Sequence, residues 1–184
     1  MTPTPADGET IRRAATLTQQ GIELFFRGRY AEAIALLDQA LAFNPLYVRG
    51  HCGRAMCLAQ LGNAEEALAT AERALALDPA AGLTYSIRAL CRHRCGDDVG
   101  AEEDHRRALE LAPDDYRGYY NFACYWAERR DEEKCRQYLT YAFQLATAAF
   151  AAVAAEDPDL ARYAGRLWFR DLVADTKRRA AGGT

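Results

Sequence analysis

The sequence predicts an all-α fold, a solenoid of about four helix-turn-helix hairpins closed by C-terminal capping helices. Three observations predict it. Pro45, Pro79 and Pro113 stand 34 residues apart. Gly28, Gly62 and Gly96 keep the same interval. Small residues recur in step with them: Gly21, Ala55 and Ala89; Ala33, Ala67 and Ala101; Ala40, Ala74 and Ala108. An interval shared across five positions marks one structural unit used repeatedly, and such arrays present extended surfaces for holding other molecules.

Residues 1–10 read as a flexible N-terminus, and 11–156 as the repeat domain, with hairpins at about 14–47, 48–81, 82–115 and 116–147. The second hairpin shows the logic. Cys52 through Leu61 carries apolar residues at helical spacing until Gly62-Asn63 breaks the pattern. Gly62 suits the left-handed residue that closes a helix. Asn63 can cap the next helix, with Glu65 and Glu66 in a first turn favoured by the backbone dipole. That helix runs to about Leu77, where Asp78-Pro79 ends it, because proline cannot continue the hydrogen-bond ladder. Asp97 and Asp131 repeat the capping place of Asn63. A lone hairpin leaves one apolar side uncovered, so it needs neighbours.

The fourth hairpin departs from the pattern, since Arg130 replaces the turn glycine and Thr147 the proline. Without a breaker, the Ala-rich stretch predicts one extended helix from near Glu132 through Ala155. Asp157-Pro158-Asp159 then restarts structure, with Asp157 as cap, Pro158 at the first helical position and Leu160 turned inward. A last amphipathic segment, Leu167 to about Arg178, completes a cap over 157–180 and leaves 181–184 as a flexible tail.

The residues resemble the tetratricopeptide repeat (TPR) family. Its sequence of bulky, small, aromatic, glycine, alanine, aromatic or leucine, alanine and proline places is met by Leu17, Gly21, Leu24, Gly28, Ala33, Leu37, Ala40 and Pro45. The second hairpin offers His51, Ala55, Leu58, Gly62, Ala67, Ala71, Ala74 and Pro79, and the third Tyr85, Ala89, Arg92, Gly96, Ala101, His105, Ala108 and Pro113. The fourth supplies Tyr119, Ala123, Trp126, Cys135, Leu139 and Ala142. The resemblance covers about residues 14 to 147, and the tail is similar to the Asp-Pro-Asp-Leu closing segment of bacterial members.

It implies a right-handed superhelical solenoid of TPR hairpins whose concave groove is lined by the first helix of each unit. The family's groove-facing places fall on Thr18, Gln19, Ile22, Phe25 and Phe26; Arg49, Cys52, Met56 and Gln60; Leu83, Ser86, Ile87, Leu90, His93 and Arg94; and Arg117, Tyr120, Asn121, Cys124 and Glu128. Within these, Ile22, Phe26, Arg49, Met56, Ile87, Leu90, Arg94, Arg117, Tyr120 and Asn121 are the candidate partner-binding residues. Such a wall suits an amphipathic helix or extended peptide with apolar anchors and some acidic character. A wall filled by the chain's own segment is the alternative. The family's clamp for a chaperone's C-terminal carboxylate would fall on Thr18, Ile22, Gly53, Leu83 and Ile87, none of which has the charge or amide it needs.

Two places depart from a plain scaffold. Arg92 and His105 sit where the family expects core, so either Arg92 sends its head to water with His105 partly exposed, or the pair forms a polar recognition patch. Nine aromatic residues crowd between Tyr116 and Phe143. Tyr119, Phe122 and Trp126 read as core. Tyr116, Tyr120, Tyr138 and Tyr141 read as core and tail packing or as a self-association surface.

Composition excludes several functions. Half of the 184 residues are hydrophobic and 27% charged, and the net charge of −3 gives no cationic field for duplex nucleic acid. No secretion signal is visible, and the longest apolar stretch, Ala146 to Ala155, is about half of the ~20 residues a membrane span needs. The expectation is a cytoplasmic protein with six reduced thiols rather than disulfides. Cys91-x-His93-x-Cys95 lacks a second ligand pair for zinc, and no nucleophile or phosphate-loop motif occurs. The sequence therefore predicts no cofactor, no metal and no enzyme, but a non-catalytic protein-interaction module. Its alternatives are a homo-oligomeric building block joined through the fourth hairpin and tail, and a regulatory subunit or dedicated chaperone.

Overall fold

The computed structural model describes residues 8–181. It is all-α, as the periodicity predicts. Helices α1 (Gly8–Phe26), α2 (Tyr30–Phe43), α3 (Val48–Gln60), α4 (Ala64–Leu77) and α5 (Gly82–Arg94) follow in hairpin order. Then come α6 (Asp98–Leu111), α7 (Tyr116–Glu128), α8 (Glu132–Leu145), α9 (Ala148–Ala155), a 3-10 segment (Pro158–Tyr163) and α10 (Leu167–Ala181). Gly8 to Thr10 are helical, which corrects the flexible reading of 1–10 at its inner end. The rest of that stretch, and 182–184, lie outside the described residues. The chain forms two compact units, one ending at Asp104 and one beginning at His105 within α6.

In the first unit α1 pairs with α2 and α3 with α4, and each hairpin lies against the next. The repeated small residues are the contact points. Ala33, Ala40, Ala55, Ala67, Ala74 and Ala89 are all 0% exposed. Side chains from neighbouring helices fill the space around them: Leu37 and Cys57 in one cluster, and Cys52, Leu58, Ile87 and Cys91 in another. Gly53 shows how tight the fit is, since a Cβ there would stand 3.0 Å from Leu37 and 3.8 Å from Ile22.

The second unit holds the aromatic cluster. Phe122, Tyr125 and Trp126 are buried, Tyr138 packs 4.3 Å from Phe122, and Tyr119 meets Tyr141 at 5.5 Å. Internal packing thus accounts for most of these rings. His105 is 1% exposed and stacks on Phe122 at 4.6 Å, so the expectation of a partly exposed histidine is wrong; its ring serves as the aromatic the repeat needs there.

The turn glycines Gly28, Gly62 and Gly96 have φ of 72°, 82° and 84°, the left-handed conformation that ends each first helix. Arg130 adopts the same conformation at φ 63° without being glycine. Asp97 and Asp131 cap the following helices by accepting from the Gly100 and Lys134 amides. Asn63 makes no side-chain cap bond, and only its backbone carbonyl receives the Ala67 amide.

The expected helix through Ala155 is absent. Ala146 and Thr147 are extended, with ψ of 160° and 162°, and split it into α8 and α9. Thr147 accepts from the Phe150 amide and starts a new helix at the phase where the other hairpins carry proline. Local capping and the burial of Ala151 and Ala154 outweigh alanine's preference for continuing. Past the break, Asp157 caps the 3-10 segment and Leu160 is buried, as the sequence suggests. Helix α10 then closes α8: Phe169 packs against Phe143, Trp168 donates to Glu132, and Arg179 donates to the Phe143 and Gln144 carbonyls.

Two outcomes follow for stability. Arg130→Gly relieves the left-handed strain and raises unfolding free energy by about 1 kcal/mol, read as a higher urea midpoint at unchanged slope. Burial pushes the Cys57 thiol up to about 11 and those of Cys91 and Cys135 to about 12, from an ordinary value of 9.0. The folded state keeps protons that the unfolded chain releases, so this contribution is complete below about pH 9 and is lost as pH rises towards 11–12. Urea titrations under reductant at pH 8 and pH 10 show a smaller decline for Cys57→Ala/Cys91→Ala than for the wild type.

Candidate protein-interaction face

In the first unit α1, α3 and α5 lie side by side and present one face. Their register follows from burial of Ala55, Ala89 and Gly21 on the side towards α2 and α4, which turns the opposite side outward. Ile22, Met56 and Leu90, one repeated place on three neighbouring helices, are each half-buried. Met56 and Leu90 rest on the underlying cluster together with Leu83. Phe26 is 70% exposed at the end of α1, edge-on to Phe25 at 5.5 Å. Arg49 is exposed and reaches Gln19 across the helix pair, while Arg94 is half-buried. The arrangement is an apolar stripe with cationic flanks.

Several candidates lie elsewhere. Ile87 is 3% exposed and belongs to the core cluster, so it cannot anchor a partner. Thr18, Cys52 and Ser86, the family's fifth groove place, are also buried. The reason is the close approach of α3 to its neighbours, which draws these places under the stripe. Phe25 packs against the Ala33–Leu37–Cys57 cluster beside Tyr30. In the second unit Arg117 pairs with Asp115 at 2.7 Å. Burial alone would raise the pKa of that carboxyl, but the hydrogen bonds and charge of Arg117 hold it below its ordinary value. Asn121 is half-buried. Tyr120 packs against Phe150 and donates to Asp157, so the chain's own segment occupies its surroundings.

Sequence reasoning missed a buried ion cluster. Asp104 is 3% exposed and accepts from Arg88 at 2.7 and 2.6 Å, with Arg92 at 3.1 Å. Arg92 also donates to the Gly100 carbonyl and approaches Asp97 at 3.7 Å. Its head is therefore drawn into the hairpin, about 24% exposed, and ties α5 to α6. The i,i+4 spacing of Arg88 and Arg92 was the available signal. Arg54 plays a like part from α3, reaching Asp38 at 2.7 Å, Glu66 at 2.8 Å and Thr70 at 3.1 Å.

His93 meets Asp98 at 2.6 Å, and among the described residues no three His, Cys, Asp or Glu side chains converge to hold a metal. All six cysteines are free thiols. No described helix is long and apolar enough to cross a membrane.

Helical hairpins in register, with small residues at their crossings, define a helical-repeat scaffold, a class that presents extended surfaces to other proteins. Residues 18–82 match the family model for the tetratricopeptide repeat. No curated protein matches the chain. A thermophilic TPR protein of Thermus thermophilus is similar with a TM-score of 0.64, over 91% of this chain and 97% of that one at 21% identity. The first TPR of Spaghetti (RPAP3), bound to the HSP90 peptide SRMEEVD, matches with a TM-score of 0.53 over 58% and 85% at 26% identity. The Yersinia enterocolitica type III secretion translocator chaperone SycD gives 0.54 over 73% and 96% at 16% identity. The tetratricopeptide repeat is thus present by sequence over residues 18–82, and the fold of the chain is similar to that of solved TPR structures.

Removing the Asp104 carboxylate leaves two mostly buried guanidinium groups without their shared counter-charge. Asp104→Ala therefore lowers unfolding free energy by about 3–5 kcal/mol, measured by chemical denaturation. A loss near ~0.5 kcal/mol, the worth of an exposed pair, would show instead that the cluster is solvated.

Proposed function

We propose that this protein is a non-catalytic interaction module that receives an amphipathic helix or extended segment of another protein on the α1–α3–α5 face. The observation that carries the reading is the stripe of Ile22, Met56 and Leu90, half-buried at one repeated place and continued by the exposed Phe26. Apolar side chains held on a rigid helical floor lose little freedom when a guest covers them. Each Leu- or Phe-sized anchor contributes about 1.5–3 kcal/mol before ordering costs. Arg49 and Arg94 flank the stripe and favour a guest with acidic residues beside its apolar ones.

The likeness to a TPR bound to an HSP90 peptide supports peptide binding as the mode, not that peptide as the guest. The five places of the carboxylate clamp hold Thr18, Ile22, Gly53, Leu83 and Ile87, and three of these are buried. A chemically different partner fits better. The setting in this reading is the cytoplasm, where thiols such as its six stay reduced.

Affinity capture with the wild type and with Ile22→Glu/Leu90→Glu, compared at equal helicity by circular dichroism, tests this. One partner is lost or weakened at least tenfold in the variant, since about 1.4 kcal/mol corresponds to a factor of ten. An unchanged set of partners places binding on another surface.

A further inference from the structure

The face of α7 that corresponds to the apolar stripe is already covered by the chain itself. Phe150 of α9 packs against Tyr116 and Tyr120, with ring centroids 4.4 and 4.8 Å away, the second contact edge-on. Seven residues later Asp157 accepts a hydrogen bond from the Tyr120 hydroxyl. Burial above all, with the nearby Asp157 charge adding to it, holds Tyr120 and Cys124 protonated well beyond their ordinary ranges. Tyr120 and Cys124 stand at the repeat places that Ser86 and Leu90 hold in the third hairpin. An aromatic side chain and a carboxylate thus sit where a guest's side chains would.

The covering segment is held unequally along its length. Beyond Pro158 it is anchored: Leu160 and Tyr163 are 1% and 3% exposed, Arg162 donates to the Ala127 carbonyl, and α10 grips α8. Before Pro158 it is less deeply held, although α9 also lies against α10 and Phe150 comes within 6.1 Å of Phe143. Helix α9 has eight residues, follows the extended pair Ala146–Thr147, and starts from one 3.4 Å cap bond. Its buried side chains are chiefly Ala151 and Ala154, and Val153 is 56% exposed. A helix this short is not stable in water by itself, so its order depends on what it rests against.

We propose that residues 146–157 are an intramolecular ligand of the α7 face, and that their release opens a second docking face for a protein segment presenting an aromatic side chain and, two helical turns on, a carboxylate. Tyr120 reads both features, its ring receiving the aromatic group and its hydroxyl donating to the carboxylate. The tether gives the internal ligand an effective concentration on the order of mM. A loose segment in solution is excluded, and a guest enters when it binds more tightly or is itself held close by. The α7 face does not depend on the α1–α3–α5 reading, and either can fail alone.

The test uses full-length protein and a fluorescent synthetic peptide of this chain's residues 146–159 as probe. Phe150→Ala/Asp157→Asn frees the face, and this variant binds the probe at least tenfold more tightly than the wild type in anisotropy titrations. Adding Tyr120→Phe removes only the hydroxyl and weakens that binding about tenfold, the worth of a hydrogen bond to a charged group. Hydrogen exchange separates release from unfolding: α9 amides exchange faster in the double variant while α10 amides keep their protection. Equal probe binding by wild type and double variant overturns the proposal. So does unchanged exchange in α9, or loss of protection in α9 and α10 together, which would make the segment an inseparable part of the core.

Discussion

The close approach of helix backbones at alanine and glycine places is the constraint on which the rest of the structure depends. Ala33, Ala55, Ala67, Ala74 and Ala89 are completely buried, and at Gly53 even a methyl group would press on Leu37. Interiors packed at this density resist small changes of volume, so the register of each hairpin against the next is fixed by these residues. Which side chains sink and which stay at the surface follows from that register. It buries Thr18, Cys52, Ser86 and Ile87 and leaves Ile22, Met56 and Leu90 partly open. The proposed interaction face is therefore the remainder of the packing rather than a separately built pocket.

Polar groups tie the crossings together. Arg54 reaches from α3 to α2 and α4, and Arg88 with Arg92 enclose Asp104 between α5 and α6. A buried carboxylate with two guanidinium partners costs desolvation, but it penalises any slip of one helix along the other, because a shifted register would strand the charge. Alanines set how near the helices come; these ion pairs set where along their length they meet. Helix α10 does comparable work at the C-terminal end, where Arg179 occupies carbonyls that α8 would otherwise leave open.

Much of this was legible in the sequence because the 34-residue interval repeats the same physical demands. Turn glycines, capping aspartates and crossing alanines each answer a backbone or volume requirement that a one-dimensional pattern records. Arg130 at a left-handed turn was legible too, as a glycine place without its glycine. What escaped was what depends on partners distant in sequence. Thr147 read as a lost breaker, yet its hydroxyl ends the run that alanine propensity favours. His105 and Arg92 read as polar intrusions, yet one stacks on Phe122 and the other meets a carboxylate twelve residues on. Ile87 shares its repeat place with the exposed Gln19, and only the nearness of neighbouring helices separates their fates. Phe150 stands in an alanine-rich run, and nothing local marks it as the ring that packs on Tyr116 and Tyr120.

The proposed function rests on the α1–α3–α5 side, not the α2–α4 side, being the surface that meets another protein. Site-specific photocrosslinking tests this most directly, with a benzophenone side chain placed at Met56 on α3 or at Ala76, exposed on α4. A discrete adduct with the captured partner from position 56, and none from position 76, is the expected result. An adduct from position 76 alone would contradict it.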